Sequence, residues 1–243
     1  MVNWCVQSFA ELGSTQDTLK ELADHGAPEG TAIQALSQKN GRGRHGREWQ
    51  SPLGNLYLSV LLRPMCSANK AGQISLFTAL ALANAMKDVL AADTVALVKW
   101  PNDILIEGRK CAGILLDTVL SPQGEIQQVI IGMGVNMTSA PAGIGTFLNE
   151  HCVKKPDLTI FREKLLAQLS FYYDMWQQEG FATIREEWLS MTYAPGAIVS
   201  VKLGEMMQRG AFAGIDENGN LLLRGDEGNM RVISAGDVYF SES

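Results

Sequence analysis

The pattern of the sequence changes at Tyr193-Ala-Pro-Gly, and this change limits the choice of fold more than any other feature. Before it, apolar stretches with helical spacing alternate with short apolar runs that are separated by turn residues. After it, alternating apolar residues such as Ile198 and Val201 are interrupted by frequent glycines, which is typical of short strands joined by turns. We therefore expect a catalytic-sized domain at residues 1–192, followed at residues 193–243 by a small SH3-like β barrel of about five strands.

The first 192 residues contain patterns for both helices and strands. Helical spacing predicts helices at residues 14–24 (with Ser14 as the N-cap residue), 74–90, 159–178 and 181–191. Short apolar runs predict strands at residues 31–37, 56–62, 95–98, 104–106, 110–120 and 126–131. Turn sequences between the later runs indicate hairpins, so the sheet should be mixed but mostly antiparallel. The predicted fold class is α+β, with a sheet flanked by helices.

The composition excludes several classes of protein. The chain has 243 residues, of which 46% are apolar, and a formal net charge of −6, so its surface as a whole repels nucleic acids. Its apolar stretches are too short to span a bilayer, and its first residues lack the pattern of a signal peptide. The four cysteines lack the spacing of a zinc site. We therefore expect a globular cytoplasmic protein that binds neither DNA nor a membrane.

Three arginines and three glycines lie close together at residues 41–49, Gly-Arg-Gly-Arg-His-Gly-Arg-Glu-Trp, which we call the arginine loop. Glycines let backbone N–H groups approach phosphate or carboxylate oxygens, and guanidinium groups offer those oxygens forked donors. The spacing also fits a dinucleotide-binding loop, but Pro52 prevents a following helix, and no acidic residue follows at about 20 residues to bind a ribose. A P-loop is excluded because Arg47-Glu48 stands where Lys and Ser or Thr are needed. The loop therefore predicts an anion site, with a solvated basic turn as the alternative.

A lysine stands at the end of a predicted strand in Lys99-Trp-Pro-Asn-Asp. An ammonium group at a strand end can neutralise a carboxylate or a phosphate, and Pro101 with the next two residues fixes the turn that aims it. The alternative is an ordinary turn, with Trp100 in the core and Asp103 as a surface acid.

Two glycines end a strongly apolar run in Gly132-Met-Gly-Val-Asn. They suggest that another group passes close to the backbone, and Asn136 could hydrogen-bond a ligand; a β-bulge is the alternative. Lys110, in Arg109-Lys-Cys-Ala-Gly-Ile-Leu, lies at a predicted hairpin edge, where a solvated lysine is the alternative to a ligand contact.

Taken in order, these strings resemble the biotin protein ligase family. They are Ser14-Thr15, Gln38, the arginine loop, Lys-Trp-Pro-Asn-Asp, Arg-Lys-Cys-Ala-Gly-Ile-Leu and Gly-Met-Gly-Val-Asn. The resemblance covers about residues 8–140, and the later helices and β unit also fit. Only 13 residues precede Ser14, so we expect no N-terminal DNA-binding domain of the kind that repressor-type members carry.

The resemblance implies a class II synthetase-like catalytic domain and an ATP-dependent ligase. In this family biotin and ATP give biotinyl-5'-AMP and pyrophosphate, and the biotinyl group then passes to a specific lysine of a biotin carboxyl carrier protein. The implied partners are biotin, ATP and the carrier domain of a biotin-dependent carboxylase. Mg²⁺ should accompany ATP because it neutralises the leaving pyrophosphate. The sequence leaves a homodimer open.

The resemblance also implies roles for individual residues. Lys99 and Arg44 would be catalytic, because fixed cations stabilise the charge that grows on the α-phosphate. The implied biotin contacts are Ser14, Thr15, Gln38, Gly41, Arg42, Lys99, Gly113, Gly132 and Gly134. The implied contacts to ATP or the adenylate are Arg42, Arg44, Arg47, Trp49, Asn102, Lys110 and Asn136. Asp103 would help to place Mg²⁺.

The sequence departs from the family pattern at a few positions before and within the arginine loop. Gln16 stands where Asn is common, Lys39-Asn40 replaces a small pair, and His45 replaces an arginine, but none of these removes an implied contact.

Two rival functions are weighed against the ligase. A lipoate or octanoate ligase or transferase shares the fold but predicts an Arg-Arg-x-Ser-Gly-Gly-Gly type of motif, which the chain lacks. A binding module without catalysis is the other rival, and retention of Lys99 beside all three loop arginines counts against it.

Overall fold

The computed structural model describes residues 1–240, in which two sheets and four α-helices form. The strands of the large sheet are β1 (Cys5–Leu12), β2 (Thr31–Gln38), β3 (Leu56–Leu62), β4 (Cys66–Ser67), β5 (Ala96–Lys99), β6 (Asp103–Ile106), β7 (Arg109–Leu120) and β8 (Glu125–Val135). The helices are α1 (Thr15–Asp24), α2 (Ala71–Lys87), α3 (Leu158–Glu179) and α4 (Ala182–Ser190). The strands of the small sheet are β9 (Ile198–Leu203), β10 (Met206–Ile215), β11 (Leu221–Arg224), β12 (Met230–Ile233) and β13 (Asp237–Phe240). The last three residues of the predicted C-terminal unit lie outside the described residues.

The large sheet has the strand order β1-β2-β3-β8-β7-β6-β5, with the short β4 paired to β8. β1 and β2 run parallel, and the other neighbouring strands run antiparallel. The turn between β6 and β7 contains Glu107 and Gly108, both with positive φ, as a two-residue hairpin turn requires. The predictions of an α+β fold and a mixed, mostly antiparallel sheet are confirmed.

Alternation along the central strands separates a core face of the large sheet from a face that we call the site face. On β3, Leu58 is part of the main core, whereas Ser59 lies on the opposite face. On β8, Met133 belongs to the core, and Gly132 and Gly134 lie on the site face. Helices α2 and α3 pack together over the core face, and α1 covers part of the site face. Because side chains alternate between the two faces of a strand, the small and polar residues of these strands lie together on the site face.

The small sheet is antiparallel, in the order β12-β11-β10-β9-β13, and shares its core with the rest of the chain. The indole of Trp100 donates to the carbonyl oxygen of Gly219 at 3.0 Å, and the amide of Gln73 donates to that of Glu217 at 2.8 Å. The C-terminal antiparallel sheet that the sequence predicts is therefore present and tied to the neighbouring helix and turn. The division at residue 192 stays a prediction.

Element boundaries differ from the predictions where tertiary contacts intervene. α2 begins and ends three residues earlier than the predicted helix at 74–90, and its early end is explained by Leu90, which leaves the helical path to bridge Cys152. β1 was not predicted, because it is a largely exposed edge strand with weak alternation. Ser14 is the N-cap residue of α1, but its side chain makes no capping hydrogen bond, which corrects the expected capping role.

Within residues 1–240, no helix combines the length and the apolar character that crossing a bilayer requires.

Candidate active site

A cavity of about 710 Å³ opens on the site face of the large sheet. Its walls come from α1, the arginine loop, strands β2, β3 and β5 to β8, and β13 of the small sheet. Every residue predicted for the site lines this cavity except Gly41. A Cβ on Gly41 would lie 2.3 Å from the carbonyl oxygen of Trp49 and 2.5 Å from Oγ of Ser51, so this glycine lets two chain segments pass behind the cavity wall.

One end of the cavity, which we call the polar end, is built by the start of α1, the end of β2 and the middle of β3. The backbone N–H of Thr15 donates to Oε1 of Gln38 at 2.8 Å, which orients the Gln38 amide. The Nε2 group of Gln38 then donates to Oγ of Ser51 at 3.0 Å. The Thr15 hydroxyl lies 2.8 Å from that of Ser59 on β3. Thr15 and Ser59 are almost fully buried and Gln38 is half-buried, and their mutual hydrogen bonds hold their donors and acceptors in fixed directions.

The indole of Trp49 explains two of the predicted glycines. A Cβ on Gly134 would lie 2.6 Å from Cε2 of the indole, and one on Gly113 would lie 3.0 Å from Cζ3. The ammonium nitrogen of Lys110 lies 5.2 Å from the ring centroid, a cation–π distance. The group that passes close to these two glycines is therefore the Trp49 ring, which rests directly on β7 and β8.

Two lysines converge on one carboxylate beside the ring. The Nζ atom of Lys110 lies 2.6 Å from Oδ1 of Asp103, and that of Lys99 lies 3.6 Å from Oδ2. Lys99 also lies 5.9 Å from the ring centroid of Tyr239. Because both oxygens of Asp103 face ammonium groups, the side chain holds the two lysines in place. Within residues 1–240, no group of three His, Cys, Asp or Glu side chains that could hold a metal ion is present, and the role of Asp103 in placing Mg²⁺ stays a prediction.

The arginine loop forms a narrow hairpin rather than a free coil. Arg42 and Glu48 form an isolated antiparallel bridge, and Arg44 begins a single 3-10 turn in which His45 adopts positive φ. The guanidinium of Arg42 pairs with Asp17 at 2.7 Å and with another acid on β7 at 3.0 Å. The side chains of the loop therefore reach the cavity from a backbone that is already folded.

Asp237 on β13 links the small sheet to the arginine loop. Its carboxylate accepts a hydrogen bond from Arg47 and lies 3.5 Å from Nη1 of Arg44. Arg44 also donates to Oδ1 of Asn102 at 3.1 Å, and burial lowers the pKa of its guanidinium. Burial alone would raise the pKa of Asp237, but the hydrogen bond from Arg47 and the charges of both arginines bring it below its usual value. Asp237 and the two arginines therefore stay charged at neutral pH.

Comparison with known proteins decides the family. The model described as the biotin/lipoate A/B protein ligase family matches residues 9–136, and the model of the biotin protein ligase C-terminal domain matches residues 196–241. The chain belongs to the biotin protein ligase family. It is 38% identical to the biotin–[acetyl-CoA-carboxylase] ligase of Paracoccus denitrificans, over 96% of this chain and 99% of that protein. It is 34% identical to the bifunctional ligase/repressor BirA of Bacillus subtilis, over 92% of this chain and 70% of that protein.

The solved structures of biotin protein ligases have the same fold. The biotin protein ligase from Aquifex aeolicus in complex with biotin and ATP superposes with a TM-score of 0.82 at 29% identity. The match covers 98% of this chain and 99% of that chain, so the shared fold includes both sheets.

Within this biotin protein ligase fold, Asn136 has structural contacts as well as a place in the cavity wall. Its Nδ2 group donates to the carbonyl oxygen of Thr146 at 3.2 Å and lies 3.4 Å from that of Lys110. These bonds fasten the segment that follows β8 to the start of β7. Contact of Asn136 with ATP stays a prediction.

Several residues that line the cavity were not singled out from the sequence. Among them are Ser59, Asp237 and Tyr239, and Gln16, which the sequence marked only as a departure from the family pattern, also lines the cavity. Ser59 did give a signal, because it is the one serine or threonine in the strand Leu56–Leu62, whose other residues are apolar or aromatic. Asp237 and Tyr239 gave none, since their position depends on how the small sheet packs against the rest of the chain.

Proposed function

We propose that this chain is an ATP-dependent ligase that attaches biotin to a carrier protein. Biotin and ATP form biotinyl-5'-AMP and pyrophosphate, and the biotinyl group then passes to a lysine of a biotin carboxyl carrier protein. The observation that carries this proposal is one cavity in which a polar end and a group of cations line the same continuous space. Family membership supports it, because relatives of this chain are named for this reaction.

The polar end suits the ureido head of biotin. A ureido group needs an acceptor for each N–H and donors for its carbonyl oxygen, and Ser14, Thr15 and Gln38 supply side chains of both kinds. Next to them, Gly132 admits Oε1 of Gln16 to the site face of β8. The apolar rings of biotin would lie along this surface, with the carboxylate tail directed toward the cations.

The first step requires two anions to meet. An oxygen of the biotin carboxylate attacks the α-phosphorus of ATP, and the bond to the β-phosphate oxygen breaks as pyrophosphate leaves. Lys99 and Arg44 are mostly buried cations, and Asp103 and Asn102 hold them in position before any ligand binds. Charges that are fixed in advance stabilise the transition state with little reorganisation. Arg42, Arg47 and Lys110 would bind the phosphates, and Trp49 would pack against the adenine side of the adenylate.

The second step moves the acyl group. The nitrogen of a carrier lysine attacks the acyl carbon, and AMP leaves with the electrons of the broken bond. Until the carrier docks, water must be kept from the mixed anhydride. The arginine loop is suited to this task because it folds as a hairpin over the cavity and anchors itself to β13 through Arg44 and Arg47.

Mg²⁺ belongs to this proposal as a companion of ATP. When bound, it would neutralise the phosphates of the leaving pyrophosphate. Because Asp103 is engaged by two lysines, we expect phosphate oxygens and water to be the main ligands of the ion. A cytoplasmic location and a carboxylase carrier as the partner also stay predictions, and a homodimer stays open.

Replacing Arg44 by glycine should release the intermediate. Arg44→Gly removes the bonds to Asn102 and to the backbone of Gly236, so the arginine loop loses its attachment over the cavity. We expect several times more free biotinyl-5'-AMP in the filtrate after a fixed number of turnovers, together with slower labelling of the carrier. Arg209→Gly, which removes an exposed arginine from the small sheet, serves as the control. Slower labelling without extra released intermediate would contradict the covering role.

The transfer reaction tests the proposed function. The chain is incubated with ATP, Mg²⁺ and an isolated biotin carboxyl carrier domain, with biotin in one reaction and lipoate in another, and the intact mass of the carrier is measured. We expect the carrier to gain one biotinyl group on one lysine and no lipoyl group. Gain of a lipoyl group alone would move the chain to the lipoate ligases, and gain of neither would favour a binding module.

A further inference from the structure

The polar end contains a chain of hydrogen bonds whose direction is fixed by its buried start. The side-chain Nε2 of Gln16 lies 3.0 Å from the carbonyl oxygen of Ile130. A carbonyl oxygen only accepts, so the NH₂ group of Gln16 must face it, and Oε1 must face the other way. Gly132 leaves the room for that oxygen, because a Cβ there would lie 2.5 Å from Oε1.

The next link uses the hydrogen of Ser59. Its Oγ lies 3.0 Å from Oε1 of Gln16, and an amide oxygen only accepts, so Ser59 donates its one hydroxyl hydrogen to Gln16. Ser59 has no exposed surface and Gln16 is 3% exposed, so water does not offer either group another partner. Leaving Oε1 of Gln16 without a donor would cost a buried hydrogen bond.

The last link sets the hydroxyl of Thr15. Oγ1 of Thr15 lies 2.8 Å from Oγ of Ser59, and a contact this short needs a hydrogen between the two oxygens. Because Ser59 donates its hydroxyl hydrogen to Gln16, the hydrogen between the two oxygens must come from the hydroxyl of Thr15. The longer contact of Oγ1 with Gln38, at 3.2 Å, is weaker, and Oε1 of Gln38 already accepts from the Thr15 backbone N–H. Thr15 is left with lone pairs alone to offer the cavity.

We propose that Ser59 is a specificity-determining positioning residue, which makes the Thr15 hydroxyl an obligate hydrogen-bond acceptor for an N–H group of the ligand. This inference rests on the proposed function and adds to it the reason for preferring a cyclic urea. A ligand N–H meets a lone pair at Thr15, whereas a dithiolane or an alkyl chain leaves that buried lone pair unpaired. Sites that are built to hydrogen-bond a ligand group discriminate strongly against ligands that lack it.

The effect of Ser59→Ala separates this role from a general loss of structure. Without Ser59 the Thr15 hydroxyl can turn its hydrogen to Gln38, so its lone pairs no longer point in one direction. We expect the KM for biotin in biotin-dependent pyrophosphate exchange to rise about tenfold, the size of one misplaced buried hydrogen bond, with kcat at saturating biotin nearly unchanged. The KM for ATP should not change, because Ser59 lies at the polar end.

A double-mutant cycle with Thr15→Val makes the test specific. Valine has nearly the shape of threonine but no hydroxyl, so Ser59 has nothing to orient. If Ser59 acts through Thr15, adding Ser59→Ala to Thr15→Val should change the KM for biotin by less than about twofold. A tenfold loss from Ser59→Ala in both backgrounds would overturn the proposal, and so would an unchanged KM when Thr15 is present.

Two further variants keep the experiment decisive. Ser170→Ala removes another buried serine hydroxyl, one that accepts from the Trp4 indole at 2.8 Å on α3, and it should leave the KM for biotin unchanged. If Ser59→Ala does not fold, Ser59→Cys fills the same space with a weak S–H donor and should also raise the KM for biotin only when Thr15 is present. Absence of biotin-dependent exchange in the unmodified chain would instead refute the proposed function, so the two failures are distinguishable.

Discussion

Replacing Lys99 by alanine is expected to lower the kcat for biotin-dependent adenylation by about a thousandfold, the upper end of what one fixed electrostatic group contributes. The ammonium group of Lys99 is held 3.6 Å from Asp103, in a part of the cavity away from the polar end. It would stabilise the charge that grows as the carboxylate meets the α-phosphate. Because the proposed head-group contacts at Thr15 and Gln38 are unaffected, the dissociation constant for biotin should change by only a few-fold.

The measurement for Lys99→Ala combines pyrophosphate exchange with biotin binding by calorimetry. Lys164→Ala removes a lysine that pairs with Asp88 at 3.1 Å on the helical side of the chain, and it controls for the loss of one positive charge. If Lys99→Ala greatly weakened biotin binding but left normal exchange at saturating biotin, Lys99 would be a binding residue and not a catalytic one.

Gly134→Ala should produce the second large effect. The new Cβ would lie 2.6 to 2.8 Å from three atoms of the Trp49 indole, which is a rigid ring and cannot yield as a flexible side chain can. The ring must move off β8, and Lys110, which lies over it, must move with it. We expect kcat/KM for ATP in the exchange reaction to fall by about a hundredfold, the cost of misplacing a site by about an ångström.

A second glycine provides the control for Gly134→Ala. Gly72 lies in α2, where an added Cβ would find its nearest neighbour at an ordinary 3.5 Å, so Gly72→Ala should leave the kinetics unchanged. Normal kcat/KM for ATP in Gly134→Ala would show that Trp49 does not need its observed position, and the proposed adenine contact would then fail.

The sequence predicted the parts of the fold that carry a strong local pattern. α1 to α4 and β2, β3 and β5 to β8 follow from apolar periodicity and turn residues, because these elements bury one face or lie between hairpin turns. β1 escaped prediction because an edge strand with few buried residues keeps little alternation. The early end of α2 was not predicted either, because the bridge between Leu90 and Cys152 joins residues that are far apart in the sequence.

The residues of the candidate site also differ in how far a local sequence pattern reveals them. Charged residues on turns, such as Lys99 and those of the arginine loop, could be predicted because their chemistry is unusual for their surroundings. The contact of Gly41 with biotin stays a prediction, since this glycine lies outside the cavity lining and a glycine motif does not reveal which side of the backbone needs the space. The acceptor role of Thr15 depends on Ser59 and Gln16 meeting across three elements, and no local pattern carries that information.

The central claim is that this cavity activates biotin with ATP. The most direct test is the exchange of labelled pyrophosphate into ATP in the presence of Mg²⁺, with biotin, lipoate or octanoate added separately to the unmodified chain. We expect exchange that depends on biotin and is absent with the other two acids. Exchange with lipoate or octanoate but not with biotin, or no exchange with any of the three, would contradict it.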